Sequence, residues 1–193
     1  MSRLRVLGAG VLIAALALGA SACSKDEKKA PTSDRAPISF ADPPEGSTDL
    51  GLCYAYDVEQ MKELIGGEGT FKRLAPSAIG TKTDKVRGEA CSWERNEPNG
   101  DALSMRIEVR NYKDDTATLD SQFKALHDGT IGATDQPNLG DAAFSSVSDS
   151  TSLLQIKSGP YLLTLASRAN GGLDPVKLDA LKLLGASGLE QLP

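Results

Sequence analysis

The sequence predicts an α+β fold: an antiparallel sheet of about five to seven strands, flanked by about three helices and carrying one disulfide. Three observations lead there. Leu103, Met105, Ile107 and Val109 alternate with Ser104, Arg106, Glu108 and Arg110, the strict period of two of a strand with one core face and one water face. Apolar residues at helical spacing precede this strand (Val58, Met61, Leu64, Ile65) and follow it (Leu119, Phe123, Leu126). The links within each run of strands are of hairpin length, which suits antiparallel neighbours.

Taken in order, Asp57 reads as an N-cap with Gln60 as its N3 partner, and Gly66-Gly67 ends the helix that follows. Residues 89–95 read as a strand with Cys91 and Trp93 on one side. Asn99-Gly100, a pair suited to tight hairpin turns, joins it to the strand over 102–112. A second helix spans 115–126, with Gly129 beyond its end. Strands follow at 142–147, 153–157 and 161–166; the last is apolar on both faces, as a central strand should be. Asp174 as N-cap and Pro175 at N1 open a closing helix through about Leu184.

Ahead of this domain, expected over 49–193, stand two segments of different character. Arg3 and Arg5 precede an apolar and glycine run from Val6 to Ala20, about the length of a signal-peptide h-region and short of the roughly 20 residues a membrane span requires. Ala20-Ser21-Ala22-Cys23 then resembles the lipobox of bacterial lipoproteins. Ala20 stands where that pattern prefers leucine, and Leu18 lies two residues earlier. The other reading is a plain A-x-A cleavage box with Cys23 incidental. On the lipobox reading, 1–22 is a signal peptide and the Cys23 thiol carries a diacylglyceryl group, whose two acyl chains suffice for stable anchoring. Residues 23–48 hold Pro31, Pro37, Pro43 and Pro44 among interleaved acids and bases. Such a segment buries too little apolar surface to offset ordering entropy, so a flexible tether is expected.

Composition narrows the function. The chain of 193 residues has a net charge of −5, and removing 1–22 takes away two arginines and no acid. An acidic surface disfavours nucleic acid and an anionic bilayer alike. With Cys23 lipid-modified, Cys53 and Cys91 remain, and in an exported protein such a pair is normally a structural disulfide; their separation is far from the C-x-x-C of a redox pair.

The single histidine, His127, removes every multi-histidine metal site. It lies near a helix C-terminus, where it complements the dipole, and no nucleophile motif accompanies it. Asp114-Asp115 are adjacent residues at a helix start, a place that favours acids without catalysis. Gly66-Gly67-Glu68-Gly69 follows a helix rather than a strand and lacks the Lys-Ser/Thr of a phosphate loop, so it reads as a helix stop. Leu139-Gly140-Asp141-Ala142-Ala143-Phe144 reads as a tight turn entering a core strand, and Trp93 as a core residue beside the disulfide. No cofactor motif is present, and no catalytic residue is assigned.

The lipobox, the Pro-rich tether, Cys53 before the first helix, Gly88-Glu89-Ala90-Cys91-Ser92-Trp93 and Leu139-Gly140-Asp141-Ala142 occur in this order. Together they resemble the actinobacterial lipoproteins grouped as the domain of unknown function 3558 family, over about residues 49–185. The resemblance implies an exported, often lipid-anchored domain with a paired cysteine bridge, and it assigns no reaction. The expected function is a non-catalytic protein on the outer face of the bacterial cytoplasmic membrane, binding an envelope protein or a small apolar ligand. The alternative is an extracytoplasmic hydrolase with an unrecognised carboxylate site. An apolar pocket would favour the former, and converging carboxylates with perturbed pKa values the latter.

Overall fold

The computed structural model describes residues 52–54, 56, 58–81 and 83–192. The predicted signal peptide, Cys23, the tether and the Asp57 cap lie outside them. At the centre are β3 (Arg87–Asn96) and β4 (Ala102–Asn111), paired from Arg87 opposite Asn111 to Asn96 opposite Ala102. Gly100 takes φ +92° in the turn between them, a left-handed conformation that glycine adopts without steric cost. On one side β4 pairs with β8 (Tyr161–Ala169), then come β7 (Thr151–Ser158), β6 (Ala142–Val147) and the two-residue β5 (Thr134–Asp135). On the other side β3 pairs with both β1 (Thr70–Arg73) and β2 (Ser77–Ile79). All pairings are antiparallel, in the order β1-β3-β4-β8-β7-β6-β5, and β8 is the middle strand of that path as its two apolar faces require.

One face of the sheet presents Trp93, Met105, Ile107, Val109, Leu154, Ile156, Leu163 and Leu165, all within the main core. Two helices cover it. α1 (Val58–Ile65) inserts Met61 and Ile65, and α3 (Leu178–Leu189) inserts Leu181 and Leu184. The second face is covered only in part. α2 (Thr116–Gly129) brings Leu119 onto Tyr112 and Leu162, and Phe123 onto Phe144 in an edge contact with centroids 5.3 Å apart.

Three expectations need correction. The closing helix starts at Leu178, not Pro175, because Val176 is buried and its N–H donates to Ser167 Oγ of β8 (3.0 Å), holding the preceding segment extended. It then runs past Leu184 to Leu189, where Gly185 and Gly188 let it lie close on the sheet. α2 includes Gly129, because Thr130 supplies the stop: its N–H reaches His127 O (3.2 Å) and its hydroxyl Leu126 O (2.7 Å). The second face of β4 is only partly a water face. Arg106 and Arg110 close on Glu108 at 3.0 and 2.6 Å and leave its side chain 13% exposed.

Candidate functional site

Cys53 and Cys91 are joined in a disulfide with Cα atoms 5.4 Å apart. Cys53 lies in the 3-10 turn Leu52–Tyr54, and the bond ties that turn to β3. Period-two alternation puts Glu89, Cys91 and Trp93 on the same face of β3, and all three are buried. A Glu89 carboxylate oxygen lies within 4.8 Å of both sulfurs, and Glu89 Oε2 accepts the Leu52 N–H at 2.9 Å. Bonded sulfurs are not thiolate ligands, so in this state the trio offers a metal ion one carboxylate. Its role is to fasten the start of the fold to the sheet. Gly88 sits at the head of the same run because a Cβ there would meet Val109 O at 1.9 Å.

The other residues singled out by sequence serve the scaffold. His127 is in the last turn of α2; its Nε2 is 3.1 Å from Asp135 Oδ1 and its ring stands edge-on to Phe144. Its neighbour Asp128 is held below the usual carboxylate range, first by a hydrogen bond from Lys124. Asp115 is the N-cap of α2, accepting the Thr118 N–H. Gly66 O accepts a hydrogen bond from Arg95, which also ion-pairs with Glu97 at 2.8 Å, and a Cβ on Gly67 would meet the same guanidinium. Gly140 takes φ +63° against Lys157 O, and the Asp141 carboxylate accepts the Gly159 N–H at 2.7 Å. Trp93 is fully buried, edge-on to Tyr56.

The groove that could take a ligand lies on the second face of the sheet, on the half that α2 leaves open. It encloses about 360 Å³ over Ala102 and Ser104 of β4, between Glu94 and Asn96 on β3 and, on the other side, Arg168 of β8 and Asn170 just beyond its end. This is a polar groove, not the apolar pocket expected for a small apolar ligand. Its floor is held by backbone pairing on both sides of β4, which makes it a rigid platform. A second cavity of about 520 Å³ lies between the 83–85 loop and the turn into α2. It includes Asp84, whose carboxyl is held low chiefly by the Thr81 N–H, and Lys113 at φ +54°.

Comparison with protein-family models, with curated proteins and with solved structures finds no match to this chain.

Sequence reading placed Ser104 on the outer face of its strand but missed the groove. Arg168 falls beyond the predicted end of the last strand, and register alone brings it beside Ser104. Glu89 carried a usable signal, since it shares the parity of Cys91 and Trp93.

Proposed function

We propose that this chain is a non-catalytic lipoprotein, anchored through Cys23 to the outer face of the cytoplasmic membrane, that binds an envelope partner or a small ligand through the open half of its sheet. The resemblance to the domain of unknown function 3558 lipoproteins belongs to the same reading. One observation carries the binding role: a polar groove with charged walls, built on paired strands and uncovered by any helix among the described residues. The anchoring role is supported by the small residues that lead into Cys23. Among the described residues no helix is long and apolar enough to cross a membrane. No observation specifically favours the hydrolase alternative.

Two measurements test this. Mass spectrometry of the N-terminal peptide should find Cys23 first in the chain and diacylglycerylated, and Cys23→Ser should leave the membrane fraction; an unmodified cysteine or unchanged partition overturns the anchor. A photo-crosslinker at Arg106, beside the groove, should form a discrete adduct in native envelope. The same group at Leu183, an exposed residue on α3, should not. Equal labelling at the two positions, or none, overturns the envelope partner, and absence of small-ligand binding to the groove as well overturns the binding role.

A further inference from the structure

Glu94 and Arg168 both register with Ser104, one from each side, so they share one row of the sheet with a small residue between them. Their backbones are two strand spacings apart, about 9.6 Å. Among the described residues neither side chain has an ion-pair or hydrogen-bond partner. Their neighbours differ: Arg106 and Arg110 are both spent on Glu108. Lys72 stands opposite Glu94 on the outer strand, exposed, and forms no ion pair with it.

One end of the groove is closed by fixed structure. Asn170 Oδ1 accepts the Ala102 N–H, and Asp101 accepts the Gly172 N–H at 3.0 Å. Opposite charges on facing walls, left apart over a small floor, are complementary to a ligand that carries both signs.

We propose that this groove binds a small zwitterion of amino-acid or dipeptide size, its ammonium set against Glu94 and its carboxylate against Arg168. The proposal deepens the binding role above and rests on it. A simple anion would meet Glu94 and a simple cation Arg168, whereas a zwitterion makes a charge-assisted hydrogen bond with each. The guanidinium fork of Arg168 suits a carboxylate in particular. The volume is at the lower end of small-molecule sites, which run from about 300 to 1,000 Å³. Because the walls are open to water, affinity belongs in the millimolar range.

The test uses the full chain in detergent and three probes, read by saturation-transfer NMR. Glycylglycine should bind saturably. N-acetylglycylglycine, which lacks the ammonium, and glycylglycinamide, which lacks the carboxylate, should each bind about tenfold more weakly. Glu94→Gln should abolish the preference over the acetylated probe, and Arg168→Gln the preference over the amide. Arg168 is exposed and Glu94 half-buried on the open face, outside the apolar core, so both variants should keep the fold, which retention of the melting temperature checks. No saturable signal, equal binding of the blocked probes, or preferences unchanged in the variants overturns the zwitterion. A discrete adduct at Arg106 without glycylglycine binding overturns the zwitterion alone. Failure of that crosslink overturns the envelope partner and leaves the small ligand standing only if glycylglycine binds; failure of both overturns the broader binding role.

Discussion

Tyr56 carries a phenol into the main core, where it is fully buried, edge-on to Trp93 and within 3.4 Å of Leu184 O. Burial pushes its pKa well above the ordinary value of about 10. Tyr112 and Tyr161 are raised by the same cause, more modestly. The sign of the consequence follows from linkage. Below about pH 10 the phenol is protonated in both folded and unfolded chains, and pH has no leverage through it. Above that, the unfolded chain ionises first and folded stability falls, by at most about 1.4 kcal/mol per pH unit for each such group. Alkaline unfolding, followed by tyrosinate absorbance and Trp93 emission, should therefore begin near pH 10, with tyrosine ionisation and unfolding coincident. Tyr56→Phe should cost about 1 kcal/mol or less at neutral pH, because the long hydrogen bond to Leu184 is weak. It should flatten the alkaline slope. An unchanged slope would show that Tyr56 ionises without unfolding the chain.

The same hydroxyl governs how close α3 can lie. A Cβ on Gly188 would stand 2.3 Å from Tyr56 Oη and 3.1 Å from Leu163 Cδ2, while a Cβ on Gly129 at the end of α2 meets nothing within 4 Å. Alanine is the better helix former by up to about 1 kcal/mol, so Gly129→Ala should stabilise by a few tenths to 1 kcal/mol. Gly188→Ala should destabilise by about 1–3 kcal/mol through overpacking. In urea melts the double variant with Tyr56→Phe should recover part of that loss, and strict additivity would refute the contact. These contacts also mark what was legible at this scale. The helices and long strands were readable because periodicity and local turns determine them. The start of α3 was not, because Ser167, a residue of another element, decides it. β1, β2 and β5, of four, three and two residues, have no period of their own and exist as strands by pairing with β3 or β6. The groove was illegible for a related reason: Glu94 and Arg168 lie far apart in sequence, and only the register of three strands brings them to one row.

Across the molecule the Cys53–Cys91 bridge spans 38 positions, closing α1, β1 and β2 into one loop anchored on β3. The tether expected over 23–48 precedes that anchor, so limited proteolysis should cut the tether first and release a fragment that retains the bridge. By loop-closure entropy a bridge of this span stabilises the fold by about 4 kcal/mol, acting on the unfolded chain more than on native contacts. Replacing both cysteines by alanine should lower stability by about that amount and leave the native structure otherwise similar. Trp93 is the only tryptophan and lies two residues from Cys91 on the same buried face. Its emission in denaturant therefore reports unfolding where the constraint is lost. The groove is built on β3, β4 and β8, whose pairing does not pass through the bridge. Glycylglycine should thus bind the double variant as it binds the parent chain wherever both are folded. If the variant instead kept its full denaturation midpoint, the bridge would not be scaffold. If it also lost ligand binding, the pair would be acting on function directly, and its burial beside Glu89 would be the place to look for the reason.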